Sequence, residues 1–338
     1  MLKHFDTFSG YGGFSIACER HGIETIGFSE VNKYASGVLK FRWPNIKNYG
    51  DIKKIDWAQV PDFDILTGGS PCQDLSIAGK RSGLGGDRSG LFHEFMRAVR
   101  QKAPKYFIWE NVKGALSSQN GWDFAVVLRE MADAGYSLWW QVYNAKWSNI
   151  PQNRERIVVV GFRDGSPREV FFEPGGGGEN LREITTGVSD AQRIYDALGL
   201  AKSQKALGGW MGAKTGLYFV VPEATKAGVA IAVPGDSINL SNLNSKTRRG
   251  RVGNQIAQTL TTSAEQYVLH GGRVRRLMPI ECERLMGLPD NWTATGDIFG
   301  WMGIGQSRDK LSDTQRYQLC GNGVVVNMVE DILKHIIL

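Results

Sequence analysis

The chain has 338 residues, 42% hydrophobic and 22% charged, enough for one large domain with a buried core plus a smaller one. Four cysteines, at 18, 72, 282 and 320, show no metal-ligand spacing, which excludes a disulfide-stapled module and gives no sign of a metal site. Forty Lys and Arg against 34 Asp and Glu, with a pI near 9.1, suit a polyanionic partner without establishing one. The excess is local: Leu240 to Arg276 carries seven basic residues against Glu265, an imbalance equal to the whole chain's +6. The N-terminus lacks a signal-peptide core and no run approaches a membrane span, so a soluble cytoplasmic protein with no membrane partner is expected.

Apolar runs predict strands over 3–8, 24–29, 63–67, 106–109, 137–143 and 156–162. Helix-period segments between them cover 14–21, 33–42, 91–102 and 123–134. This alternation predicts an α/β fold with a doubly wound, mostly parallel sheet. The connection from Ser70 to Gly90 is long and glycine-rich, as a functional lid would be. Pro174 to Gly178 reads as a flexible connector. From there to about Gly272 the chain is rich in Gly, Ser, Thr and Asn, and reads as a second domain of loops and short strands. Helices are expected again over 279–286 and 324–337.

Phe8-Ser9-Gly10-Tyr11-Gly12-Gly13 follows the first strand and opens the first helix, where backbone and helix N-terminus favour an anionic ligand. Glu30 ends the second strand seventeen positions after Gly13, well placed for a ribose diol. Ser15 stands where a dinucleotide fingerprint needs glycine, which argues for another adenosyl ligand. Asp51-Ile52 could meet an adenine; a surface acid is the alternative. Cys72 follows a strand and a Gly-Gly-Ser-Pro turn at the sheet edge where ligands bind. Glu110 closes the next strand on the same edge. Taken singly, Cys72 is a core thiol, Glu110 a helix-start acid, and Arg154 and Arg156 a solvated charge run.

Together these segments resemble the cytosine-5 DNA methyltransferases, prokaryotic or phage type. The ordered series is Asp6 to Gly13, Gly69-Ser70-Pro71-Cys72-Gln73, Glu110-Asn111-Val112, Gln152 to Arg156, Arg276 to Cys282 with Met286 to Pro289, and Gly321-Asn322-Gly323-Val324. Thr7 stands where the family usually has Leu, and Gly323 where Ser or Ala is common. The resemblance implies a Rossmann-like methyltransferase fold formed by residues 1–163 and 273–338. A smaller target-recognition domain would span 164–272. It implies S-adenosylmethionine as cofactor, held by Phe8, Ser9, Gly10, Gly12, Gly13, Glu30, Val31, Asp51, Ile52, Pro71, Leu91, Asn322 and Val324.

The same resemblance makes Cys72 a nucleophile toward cytosine C6, Glu110 the group at N3, Arg156 the group that holds the O2 side and steadies Cys72 and Glu110, and Arg154 a support for the loop and nearby phosphate. Double-stranded DNA would be contacted through Ser76, Arg81, Lys246, Arg248, Arg249, Arg251 and Thr259. The target base would have to leave the helix. A monomer is expected, with a restriction endonuclease as candidate companion. Three alternatives remain: a tRNA-methylating enzyme, whose Cys-Phe-Thr signature is absent after Gly161; a DNA-binding regulator with a degenerate site; and a thiol hydrolase using Cys72 and His93.

Overall fold

The computed structural model describes residues 1–71, 90–164, 219–224, 229–233, 235–240, 250–262, 266–270, 273–298 and 309–337. Strands β1 (Lys3–Thr7), β2 (Glu24–Ser29), β3 (Ile65–Gly68), β4 (Tyr106–Val112) and β5 (Ser137–Asn144) point one way in a six-stranded sheet. After the short β6 (Gln152–Asn153), β7 (Glu155–Phe162) inserts between β4 and β5, antiparallel to both. The order is β2-β1-β3-β4-β7-β5. Only ten residues separate β5 from β7, too few for a crossover, so the chain must reverse.

Alternate residues of each strand serve opposite cores, as a pleated strand buried on both faces requires. Phe5, Leu66, Phe107, Trp109, Ile157 and Val159 face α3 (Gly90–Lys102) and α4 (Trp122–Asp133). Ile65, Ile108, Val158 and Val160 face the opposite way, toward α1 (Gly13–Arg20) and α2 (Lys33–Arg42). The second core is completed from the far end of the chain. Val326, Val329, Ile332, Leu333 and Ile336 of the C-terminal helix, at three- and four-residue spacing, pack into it.

The described residues that follow β7 form short strands first. β8 (Phe219–Pro222) and β9 (Val229–Ala232) make a hairpin, and β10 (Ser237–Asn239) starts a small antiparallel sheet. β11 (Ala257–Gln258) instead pairs with β6, while β12 (Gln266–His270) and β13 (Arg273–Arg276) complete the small sheet. Then come α5 (Pro279–Leu285), the pair β14 (Thr295–Gly296) and β15 (Asp309–Lys310), α6 (Asp313–Asn322) and α7 (Val326–Ile337).

Three expectations change. β4 runs three residues beyond 109, because Glu110, Asn111 and Val112 keep pairing with Val158, Ile157 and Arg156, so Glu110 lies inside a strand. Helix α6 was not expected; its mostly polar sequence gives little periodic signal, although Ser312 and Gln315 form a capping box at its start. Asn322 accordingly ends α6, and Val324 sits in the link before α7 rather than in a helix start.

Beneath the first turn runs a buried polar chain. His4 Nδ1 lies 3.1 Å from Thr25 Oγ1 and Nε2 lies 2.7 Å from Thr67 Oγ1. Thr67 donates to Asp6 at 3.2 Å, and Ser15 donates to the other Asp6 oxygen at 2.8 Å. Burial pushes Asp6 up from 3.8 to about 8, with the Ser15 and Thr67 bonds opposing, and pulls His4 down from 6.5 to about 3. Between 3.8 and 8 folded Asp6 keeps a proton that the unfolded chain has lost, so its effect is to lower stability as pH rises. Between 3 and 6.5 the unfolded chain binds the His4 proton that the fold refuses, so stability rises with pH there. The slopes oppose below 6.5, and above it the Asp6 slope is left without the His4 one against it. Unfolding free energy, measured in urea, should fall between pH 6.5 and 8, and Asp6→Asn should flatten that fall. An unchanged slope in the variant would refute this assignment.

Candidate active site

A cavity of about 490 Å³ opens at the carboxyl ends of β1 to β4, within the range of about 300–1,000 Å³ typical of small-ligand sites. Phe8, Gly10, Glu30, Val31, Asp51, Ile52, Pro71, Leu91 and Asn322, expected from the sequence, all line it, as do Glu110, Arg154 and Arg156. Phe8 enters the turn at φ 53°, a left-handed conformation uncommon for a bulky residue, and a Cβ at Gly10 would meet no atom within 4 Å.

Four expected residues stand behind the wall instead. Ser9 donates its hydroxyl to the Asp6 carbonyl at 2.7 Å. Gly12 has φ 85°, and a Cβ there would lie 2.5 Å from the Trp43 ring. Gly13 abuts Val324, whose Cγ1 would be 2.8 Å from its Cβ. These glycines are needed for close packing of the loop, and Val324 is part of that packing.

Glu30 accepts from Gly10 N at 2.8 Å and Asn32 N at 2.7 Å, which fixes its carboxylate in the cavity and leaves acceptor sites for a diol. Asp51 caps the following 3-10 turn through Lys53 N at 3.0 Å. Asn48, which the sequence did not flag, holds both: its Oδ1 accepts from Glu30 N and Gly50 N, and its Nδ2 donates to Glu30 O and Ser36 Oγ, each at 3.0 Å. A lone Asn before Tyr-Gly-Asp gives no chemical motif, so only the folded contacts reveal it. Ser29 and Gly50 complete this end. A cavity with an acid for a diol, a second acid, an apolar Ile52 and a bare glycine turn fits an adenosyl cofactor such as S-adenosylmethionine.

At the other end, Arg156 Nε lies 2.8 Å from Glu110 Oε1, both side chains about one-tenth exposed. They meet because Val112 pairs with Arg156, so Glu110 is its diagonal neighbour on one face of the sheet. Gly69 leaves just enough space: a Cβ there would be 2.9 Å from Glu110 Oε2. Ser70 is pinned by Trp109 Nε1, 3.2 Å from its hydroxyl, and by Asn111 Nδ2, 3.0 Å from its carbonyl. Pro71 then lines the cavity, and Cys72, the next residue, lies outside the described residues. The other three cysteines are buried, and burial pushes Cys282 up to about 12 and holds Cys18 and Cys320 well above the ordinary thiol range, so none of these is a competent thiolate.

Arg154 is 2% exposed and does not reach for phosphate. Its guanidinium donates to the carbonyls of Leu260 (3.3 Å), Gly321 (3.1 Å) and Gly323 (2.6 Å). Burial, reinforced by the charge of Arg156 and opposed by Glu110, pulls it down to about 9, so it stays charged at neutral pH. The neighbouring Gln152 donates to Leu285 O at 2.7 Å and accepts from Leu260 N at 3.2 Å. Thr259 donates to Asn153 O at 2.9 Å. The Gln258-Thr259-Leu260 turn is thus latched to the segment that carries Arg154 and Arg156.

Of the residues expected to meet DNA, Ser76, Arg81, Lys246, Arg248 and Arg249 lie outside the described residues. Arg251 is 1% exposed, so its side chain is a core element of the small sheet's surroundings and not a surface contact. No cluster of three or more His, Cys, Asp or Glu able to hold a metal occurs among the described residues. None of their helices is long and apolar enough to cross a membrane.

The orphan methyltransferase M.SPRI of Bacillus phage SPR is 39% identical over 167 residues, 48% of this chain, and the chain spans 38% of that protein's length. The type II methyltransferase M.HhaI of Haemophilus parahaemolyticus is 31% identical over 344 residues, covering 99% of this chain and 94% of the relative. Among solved structures, the Entamoeba histolytica methyltransferase EhMeth superposes with a TM-score of 0.61 at 16% identity, over 99% of this chain and 97% of that one, a shared fold. The model of the C-5 cytosine-specific DNA methylase family matches residues 2–338. With the sheet, the loop order and this match in agreement, the chain belongs to the C-5 cytosine-specific DNA methylases.

Proposed function

We propose that the protein transfers a methyl group from S-adenosylmethionine to C5 of a cytosine swung out of double-stranded DNA. The observation that carries this reading is the Glu110–Arg156 pair, in one cavity with Glu30, Asp51 and the Gly69-Ser70-Pro71 turn that leads into Cys72. The bound cofactor would supply an electrophilic methyl group and a positive charge.

The chain's own residues supply the rest. Cytosine C5 is a poor nucleophile until a thiolate adds to C6, which makes the ring enamine-like; Cys72 is the assigned thiolate. An unperturbed thiol has a pKa of about 8.5, and Arg156 brings positive charge to the cavity that Pro71, the residue before Cys72, also lines. As sulfur adds, charge grows on the ring, and Glu110 holds a proton at N3 to relieve it. Arg156 keeps that carboxyl in place and meets O2. Once C5 carries the methyl group, its proton passes to water, the C6–S bond breaks, and the thiolate leaves as the ring's double bond is restored. These groups cannot reach a stacked base, so the nucleotide must leave the helix at a cost of a few kcal/mol.

The residues flanking both ends of the chain, 1–163 and 273–338, are assigned to the catalytic unit, and 164–272 to target recognition. Lys246, Arg248 and Arg249 are the assigned phosphate contacts there. Arg248→Ala with Arg249→Ala should weaken DNA binding and reduce the slope of log K against log salt by about 1–2. An unchanged slope would return the cluster to a solvated loop.

The activity is tested by incubating the protein with tritiated S-adenosylmethionine and duplex DNA, and in parallel with transfer RNA. 5-Methyldeoxycytidine in the digested DNA supports the reading; label confined to RNA, or no label, would refute it. Bisulfite sequencing of DNA from expressing cells then gives the recognised word, and resistance of that DNA to a nuclease of the same word would show that the mark protects it from cleavage.

A further inference from the structure

Gly323 has φ −83° and ψ 172°, an extended conformation open to any residue, so its backbone does not call for glycine. Its surroundings do. A Cβ at 323 would lie 2.0 Å from Tyr11 Cε1, 2.4 Å from Cζ and 2.6 Å from the hydroxyl oxygen. Tyr11 is 1% exposed, within the glycine turn that Phe8 and Gly10 present to the cavity. Its ring is held by the hydroxyl, which donates to the Val324 carbonyl at 2.5 Å, and its backbone by Trp292 Nε1, which donates to the Tyr11 carbonyl at 3.0 Å. Gly13 closes the other side, its Cβ position 3.0 Å from Tyr11 Cε2.

The segment wedged by this ring matters for the site. Gly321 and Asn322 line the cavity, and the carbonyls of Gly321 and Gly323 hold Arg154. A displacement of a few tenths of an ångström at 323 is therefore felt both at the cofactor end and at the arginine. Ser or Ala at 323, which the family resemblance leads one to expect, does not fit opposite a tyrosine.

We propose that Tyr11 is a positioning residue that sets the 321–324 link against the glycine turn, and that Tyr11 and Gly323 form an exclusive pair: a side chain at 323 requires a smaller one at 11. This rests on the assignment of the cavity to an adenosyl cofactor. The pair is independent of Cys72 and of the methyl-transfer step.

The test is a double-mutant cycle with Gly323→Ser, Tyr11→Leu and the two combined, plus Tyr11→Phe. It is read in two ways: the Kd of S-adenosylhomocysteine on folded protein at low temperature, and the unfolding midpoint without ligand. Gly323→Ser should weaken S-adenosylhomocysteine binding at least about tenfold, equivalent to about 1.4 kcal/mol, and the double variant should return to within about threefold of the parent. Tyr11→Phe keeps the ring and should lose less than Gly323→Ser. If Gly323→Ser does not fold, recovery of folding in the double variant carries the same conclusion. Additive losses, or a Gly323→Ser protein that binds and melts like the parent, would overturn the pair. A parent protein that binds no S-adenosylhomocysteine would sink the cofactor assignment instead, and the ligand-free midpoints would still decide the pairing.

Discussion

Cys72→Ser should lower methyl transfer to DNA by about 10⁴-fold, close to 5.5 kcal/mol on the barrier, while leaving S-adenosylhomocysteine binding intact. A serine hydroxyl is far less acidic than a thiol and cannot add to C6 without a strong base. The cavity holds a carboxyl assigned to N3 and two arginines, and none of these would take that proton. Cofactor affinity should survive because the residues assigned to the adenosyl end, Glu30, Asn48 and Asp51, are held by bonds to Gly10, Gly50 and Lys53 and to one another, none of which involves the turn after β3. Loss of binding together with turnover would mean that the substitution disturbs the turn after β3, and Cys72→Ala would expose this by doing the same.

Arg154→Met carries the largest expected cost in stability. Methionine nearly matches the length of the side chain but offers nothing to the carbonyls of Leu260, Gly321 and Gly323. Leaving a buried acceptor unsatisfied typically costs about 1–3 kcal/mol, and three carbonyls lose their donor here, a large share of the roughly 5–15 kcal/mol that holds a domain folded. Arg154→Lys should recover only part, since a single ammonium cannot span three separated carbonyls as a planar fork does. Urea unfolding measures both. A loss below about 1 kcal/mol for Arg154→Met would show that the three segments are held by packing alone. This cost and the position of Arg154 explain why a residue expected near phosphate is found tying β6 and β7 to the α6–α7 link.

The sheet was legible because its strands are buried on both faces and stand out as apolar runs, and because α2, α3 and α7 keep helical spacing. Glycine, Pro-Cys, Glu-Asn-Val and Arg-Glu-Arg segments were legible for a related reason: each lies at the end of such a strand, where chemistry concentrates. What escaped notice was tertiary. Nothing local distinguishes Asn48 from any loop asparagine; its four bonds exist only after β2 and the 48–51 segment meet. Arg251 looks like its basic neighbours in sequence, yet the fold buries it. Gly12, Gly13 and Gly323 read as ligand-facing or incidental glycines, whereas Trp43, Val324 and Tyr11 determine them. Helix α6 hides because a ten-residue polar helix with few buried positions has no strong periodicity.

The covalent step is the centre of the account, and trapping it is the most direct measurement. Duplex DNA carrying 5-fluorocytosine in the recognised word blocks loss of the C5 substituent, so an enzyme bonded to C6 cannot let go. The account predicts a protein–DNA adduct that survives denaturing electrophoresis, requires S-adenosylmethionine, maps by peptide mass to Cys72, and is absent from Cys72→Ser. Full methylating activity with no adduct, or an adduct on another residue, would contradict it.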